Sequence, residues 1–423
     1  MSFKKITLEN GLRLITVPMK DSLTATVLVL VEAGSEYETK ELNGLSHFLE
    51  HMCFKGTKKR PRTIDISGEL DSIGSSYNAF TGGEMTGYYA KAESRHLDSI
   101  LDIVSDIYLN PVFNPNEIEK EKGVIIEELN LHEDMPMRHV HDLFTQLVYG
   151  DQPAGWDVGG NIEVINKLRQ EDFLKYREKH YIAPSSVVIV AGKFNEEKIK
   201  EKVEELFDKV HRARKPFKVK TEEYQNSPQI LLKYKDSDQS HIVLGVRAFS
   251  IFDERHYALE VLADILGGGM SSRLFQKVRE EMGAAYYVNA EAELSLDHGY
   301  LAAAAGLNHG KLPQALEAII KEFKRLKEIP VSKEELQRAK DHLVGSLMVG
   351  LETSDDLARF YGVQEILTAN ALTPRELETK LRAVTANEII NLAREAFQNN
   401  KLNLAVIGPL KDEAVLRKLL ELD

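Results

Sequence analysis

Apolar and polar residues alternate at the start of the chain in the manner of strands. Residues 1–17, MSFKKITLENGLRLITV, alternate around a turn, which predicts a strand hairpin. A strand-rich run, TATVLVLVEAG at 24–34, follows. YNAFT (77–81) and GYYAKA (87–92) read as two further strands. A helix is expected near 94–109, and an acidic helix after Asn116. The second half repeats this order. HIVLGVRAFS (241–250) precedes a helix, HYALEVLADIL (256–266). YYVNAEAEL, GYLAAAAGL and helices near 311–327 and 332–350 then follow. GYYAKA at 87–92 answers to GYLAAA at 299–304, and EIEKEK at 117–122 to ELQRAK at 335–340. The pattern predicts an internal duplication. The expected fold class is α+β, with two homologous domains, each a mostly antiparallel sheet packed with helices.

Between the halves lies RARKPFKVKTEEYQNSP, 212–228, basic and then polar, with a proline near each end. It reads as an extended linker. Domains are therefore expected at 1–211 and 229–423. A chain of 423 residues is too long for one ordinary core, and 43% hydrophobic content permits packed cores. A net charge of −12 without a basic cluster argues against a nucleic-acid partner. No apolar run reaches transmembrane length, and no signal or transit pattern opens the sequence. No membrane association is expected, and a cytoplasmic location is the simplest expectation. Cys53 is the single cysteine, so no intrachain disulfide forms.

The densest chemistry is His47-Phe48-Leu49-Glu50-His51. Four helical residues sweep about 400°, so His47 and His51 project about 40° apart and can reach one small cation. Leu45, Phe48, Leu49 and Met52 supply helical apolar spacing. Asn43 and Ser46 are possible N-caps, and Gly56 sits where the helix could end. A lone helical histidine is ordinarily structural. Two at i and i+4 with a carboxylate beside the second form a metal-hydrolase spacing. Cys53 follows directly but points about 200° from His51. A small buried apolar role suits it better than ligation.

Zinc needs a third protein ligand. EIEKEKGVIIEELNLHE, 117–133, is the best source. Glu121 and Glu128 are two turns apart on one face, with Val124 and Ile125 between them suggesting burial. Glu127 and Glu128 point about 100° apart, so only one of them can be a ligand. Glu117, Glu119 and Glu133 read as a solvated face.

The segments GLSHFLEHMCFKGT (44–57), YNAFTGGEMTGYYAKA (77–92), EIEKEKGVIIEEL (117–129) and SSRLFQKVREEMGAAYYVNA (271–290) resemble the inverzincin metallopeptidases. That family includes pitrilysin, insulin-degrading enzyme and mitochondrial processing peptidase, and the chain is most similar to its small bacterial members. The resemblance implies one Zn2+ per chain held by His47, His51 and Glu128, with Glu50 as general base. Glu121 would orient a metal histidine. Asn78, Ala79 and Phe80 would pair with an extended peptide by strand addition. Arg279 and Tyr286, seven residues apart, would hold the substrate carbonyl. Arg273 and Tyr287 are the alternatives, and they fit that spacing less well. By spacing alone, Arg279 and Tyr286 read as a surface arginine and a core tyrosine.

The implied activity is a zinc endopeptidase acting on short or unfolded peptides inside an enclosed chamber, with a homodimer as the natural assembly. The alternative is a non-catalytic scaffold subunit. The repeat bears on this choice. Aligning ELQRAKDHLVGSL with EIEKEKGVIIEEL sets Ala339 opposite Glu121 and Ser346 opposite Glu128, and no histidine pair occurs in 256–266. The expectation is one metal-binding half and one half without metal ligands.

Overall fold

The computed structural model describes residues 3–422. The apolar runs become strands of two sheets. The first contains β1 (Lys4–Thr7), β2 (Arg13–Pro18), β3 (Thr24–Val31), β4 (Ser76–Thr81), β5 (Thr86–Glu93) and β6 (Ser186–Gly192). Their order is β1-β2-β6-β3-β5-β4. The second contains β7 (Gln229–Tyr234), β8 (Ser240–Arg247), β9 (Ala285–Leu294), β10 (Gly299–Leu307) and β11 (Leu402–Gly408), in the order β7-β11-β8-β10-β9. Neighbours are antiparallel except β2–β6 and β7–β11, which are parallel. With β1 set aside, the two orders coincide strand for strand, parallel pair included. The α+β class and the duplication are thus present in the topology.

The helices repeat as well. In the first half they are α1 (Leu45–Cys53), α2 (Thr63–Ser72), α3 (Leu97–Leu109), α4 (Pro115–Asp134), α5 (Pro136–Tyr149), α6 (Ile162–Lys167), α7 (Gln170–His180) and α8 (Glu196–Phe207). In the second they are α9 (His256–Gly267), α10 (Leu312–Glu328), α11 (Lys333–Val349), α12 (Ser354–Thr368), α13 (Pro374–Ala383), α14 (Ala386–Ala396) and α15 (Ala414–Leu419). One contact confirms the alignment of α4 with α11. Lys122 is buried and donates to the carbonyl of Asn166 at the end of α6 (3.0 Å). Its counterpart Lys340 is also buried and donates to the carbonyl of Arg382 at the end of α13 (2.7 Å). A buried ammonium persists only where its donors are satisfied, so the pair marks the same joint in both copies.

The compact units are discontinuous in sequence. The first comprises residues 1–130, 156–219 and 348–374; the second comprises 131–155, 220–347 and 375–423. The contiguous boundaries expected above miss the two exchanged segments. The reason is that the central strands are apolar on both faces. In β3, Val27, Val29 and Val31 pack against the first half's own helices, while Leu28 and Leu30 are buried on the opposite face. Helix α12 covers that opposite face. Ser354 bonds Thr26 there (2.8 Å), and a Cβ on Gly362 would lie 2.9 Å from both Leu30 and Ile189. Glu365, fully buried on α12, pairs with Lys5 and Arg13 at 3.0 and 3.2 Å. In the second unit, α5 plays the same part, with Phe144 edge-on to Tyr300 at 5.2 Å.

Residues 212–228 contain no helix or strand, as expected of a linker, and the division between units falls within them. The segment is anchored nonetheless: Lys218 is buried against Glu36 (2.5 Å) and Glu84 (2.7 Å). Among the described residues, no helix is long and apolar enough to cross a membrane.

His180, at the end of α7, is 1% exposed and stacks on Tyr176. Burial holds its imidazole down at about 4, with Lys179 adding repulsion. The unfolded chain therefore binds the proton first, and stability falls as pH drops from about 6.5 toward 4. Between pH 7 and 5 this residue alone should cost about 2 kcal/mol. Urea titrations at the two pH values should show that loss in the parent chain and a smaller one in His180→Leu.

Candidate metal centre

Helix α1 has nine residues, too few to hold two imidazoles in place by intrinsic propensity. Its inner face, Leu45, Phe48, Leu49, Met52 and Cys53, is buried against the first sheet's core. Its N-terminus is fixed by a residue that sequence reading missed. Neither Asn43 nor Ser46 caps the helix. The N-cap is Gly44 at φ 95°, and the buried carboxylate of Glu38 accepts the N–H groups of Gly44 (2.7 Å) and Ser46 (2.6 Å). Asn43 Nδ2 adds a third donor at 3.2 Å. Burial pushes the Glu38 carboxyl up to about 7, against these hydrogen bonds. Gly44 must be glycine for a second reason: a Cβ there would lie 2.6 Å from the carbonyl of Gly159. Ser46 Oγ meets Tyr176 Oη at 2.7 Å, tying α1 to α7.

His47 and His51 project from the outer face, with ring centroids 4.8 Å apart. Glu128 on α4 approaches both, its Oε2 lying 3.7 Å from His47 Nε2 and 3.6 Å from His51 Nε2. Glu127, its neighbour, is exposed. These separations are too long for hydrogen bonds. They are close to the edge, about 3.4 Å, of a tetrahedron with zinc–ligand bonds of about 2.1 Å. The three groups converge on a common point, with all ligand atoms within 4.8 Å of one another.

Glu121, two turns earlier, touches the other nitrogen of His51: Nδ1 to Oε1 is 2.9 Å. Lys55 Nζ holds the second Glu121 oxygen at 2.5 Å. Burial works against the Glu121 charge, but His51 and Lys55 together hold its carboxyl below the ordinary range. An anionic Glu121 accepts the Nδ1 proton and leaves His51 Nε2 as a lone pair facing the gap. The donor set therefore fits a divalent cation. The burial inferred from the residues between the two glutamates holds only in part, since Ile125 is buried and Val124 is exposed.

Glu50 lies on the adjoining face of α1. Thr81, the last residue of β4, donates to its Oε2 at 2.5 Å. Burial pushes the Glu50 carboxyl up, and nearby Glu128 adds to this, while Thr81 and His51 oppose it. Of the expected substrate residues, all three lie on β4, an edge strand paired only to β5. Ala79 is buried toward α1, and Asn78 and Phe80 face the other way. Cys53 is buried 3.5 Å from Tyr88 Oη, with its thiol pushed up to about 12, as suits a packing residue.

In the second unit, Arg279 lies in a π-helical turn, Phe275–Glu281, exposed, with its guanidinium 4.8 Å from the Phe275 ring centroid. Tyr286 on β9 is 75% exposed. The alternatives are engaged elsewhere. Arg273 pairs with Glu335 at 2.7 Å, and half-buried Tyr287 bonds His241 Nδ1 at 3.1 Å. Helix α9 carries Asp264 bonded to His342 on α11 at 2.6 Å, so a direct side-chain pair links these helices without a His–His–Glu set.

These features define a duplicated α+β protein with a His–His–Glu candidate metal centre in one copy. Residues 14–160 match the family described as Insulinase (Peptidase family M16), and 167–343 match the Peptidase M16 inactive domain. The chain belongs to peptidase family M16. It is 34% identical over 406 residues to an uncharacterized zinc protease of Bacillus subtilis, covering 96% of this chain and 98% of that protein. An uncharacterized zinc protease of Streptomyces coelicolor is 32% identical over 420 residues, covering 98% and 91%. Among solved structures, a protease from Helicobacter pylori superposes with a TM-score of 0.88 at 21% identity, covering 96% of this chain and 99% of that one. A chain of Complex III2 from Candida albicans gives 0.85 at 19% identity, with 99% of each chain covered. These two likenesses are of fold.

Glu121→Gln should weaken zinc binding about 10- to 100-fold in competition with a chromophoric chelator. Glu38→Gln keeps one accepting oxygen but turns its amide NH2 toward one of the two backbone N–H groups, and should lower stability by about 1–3 kcal/mol in urea titrations.

Proposed function

We propose that the protein is a zinc-dependent endopeptidase that cleaves short or unfolded peptides. The observation that carries this reading is the convergence of His47, His51 and Glu128 on one gap, with Glu50 beside it. His47, His51 and Glu128 would hold the zinc ion. Zinc, when bound, supplies Lewis acidity that acidifies a water and polarises a peptide carbonyl.

The chain's own groups supply the rest. Glu121 keeps His51 in the tautomer that presents Nε2. Glu50 takes a proton from the attacking water and returns it to the leaving amine. The Thr81 bond holds one Glu50 oxygen and leaves the other for that exchange. The open edge of β4 pairs with an extended peptide main chain and sets its register. Arg279 and Tyr286 donate hydrogen bonds to the developing oxyanion; their exposure and lack of competing ion pairs among the described residues support this assignment. A chain carrying both groups suits a homodimer enclosing a chamber, which would admit flexible peptides and exclude folded proteins.

The test combines metal analysis with hydrolysis of a quenched peptide library by the purified full chain, with and without chelator. One zinc per chain and chelator-sensitive cleavage are expected. Zinc binding without cleavage of any peptide would favour the scaffold reading. Glu50→Gln should keep its zinc and lose about 10²- to 10⁴-fold in kcat. Unchanged turnover in that variant would remove Glu50 from the role of base.

A further inference from the structure

The side chains of β4 alternate between two faces. Tyr77, Ala79 and Thr81 face α1, as the Thr81–Glu50 bond shows. Asn78 and Phe80 face the side covered by α12. That helix lies over β3 and β6 and leaves the edge of the sheet open. The gap is a cavity of about 80 Å³ lined by Thr26, Leu28, Phe80, Tyr89, Asp355 and Arg359, among others. A peptide paired to β4 would turn every second side chain toward this face.

Charge decides what the cavity takes. Lys91 and Asp355 neutralise each other at 2.5 Å. Asp356 accepts from Thr353 N (3.1 Å) and Oγ1 (2.6 Å) as part of the cap of α12. Arg359 is different. Its side chain is exposed, it forms no ion pair among the described residues, and its guanidinium lies 4.8 Å from the Phe80 ring centroid. A guanidinium stacked on a ring keeps its in-plane N–H groups for a planar acceptor, and a carboxylate matches that fork best. The small volume suits a short side chain better than an aromatic one.

We propose that Arg359, stacked on Phe80 at the edge of β4, forms a subsite that selects an aspartate or glutamate side chain of the bound peptide. The proposal rests on the peptidase reading, and in particular on strand pairing at β4. Lys91 offsets the charge of Asp355, whereas Asp356 keeps its own and opposes an anionic occupant, so the selection rests on the direct fork of Arg359, which an amide or a basic side chain matches less well.

The test uses the zinc-loaded full chain and a peptide library read by mass spectrometry. Asp and Glu should be enriched at one position relative to the cleaved bond, with kcat/KM about tenfold above Asn and Gln, mainly through KM. In Arg359→Gln the enrichment should vanish, and in Arg359→Glu it should pass to Lys and Arg at the same position. An acidic preference that survives Arg359→Glu, or its absence in the parent chain, overturns the subsite. A second arm separates this outcome from failure of the peptidase reading. Fluorescence anisotropy on Glu50→Gln compares a labelled peptide containing Glu with its Gln twin, with and without Arg359→Glu. Tighter binding of the Glu peptide that disappears with Arg359→Glu supports the subsite even if nothing is cleaved. Equal binding of the twins, or none, overturns it.

Discussion

The geometry of the candidate metal centre depends on a buried carboxylate that lies outside it. Helix α1 is short, and its two imidazoles face outward, so their aim is set by how the N-terminus of the helix is held. Glu38 accepts two of the orphan N–H groups there, and Asn43 adds a side-chain donor. A buried charge is costly unless its hydrogen bonds are made, so the loop of Glu38 and the start of α1 become one rigid body. The opposite end of the site is fixed by a second carboxylate, Glu121, gripped between Lys55 and His51. Between these anchors the ligand atoms of His47, His51 and Glu128 keep their spacing without bonding each other.

Sequence reading reached the strand and helix order, the duplication and the pairing of His47 with His51, because each leaves a local signature, whereas the choice of Glu128 over Glu127 came from the family resemblance. Period-two and period-3.6 patterns mark the elements, and i,i+4 and i,i+7 spacings mark helix faces. The helix expected at 256–266 is observed at His256–Gly267, and that expected at 332–350 at Lys333–Val349. What remained hidden is non-local. Glu38 caps a helix from six residues before its N-cap, where no capping rule looks. Thr81 reaches Glu50 only through the pairing of β4. Val124 was misjudged because it lies at the solvent margin of the arc that holds both glutamates, about 100° from buried Ile125.

The two copies also show how one scaffold keeps its architecture while changing its chemistry. Lys122 and Lys340 make the same buried contact to the end of the following short helix. The α1–α4 face meets through the His–His–Glu gap, whereas the α9–α11 face closes on the direct Asp264–His342 bond. Packing joints are shared; the groups facing a cation are not. The groups at this position can therefore differ between copies while the joints that pack the helices stay the same.

The exchanged helices have a consequence for biosynthesis. The last strand of the first sheet, β6, ends at Gly192, yet the helix that covers one face of that sheet begins at Ser354. Ser354 and Thr26, bonded in the finished protein, lie 328 residues apart. At elongation rates of about 5–20 residues per second, the sheet waits on the order of ten seconds or more with Leu28, Leu30 and Ile189 uncovered. The nascent chain thus has an apolar face uncovered by its own helix, although every residue of the candidate metal centre has already been made.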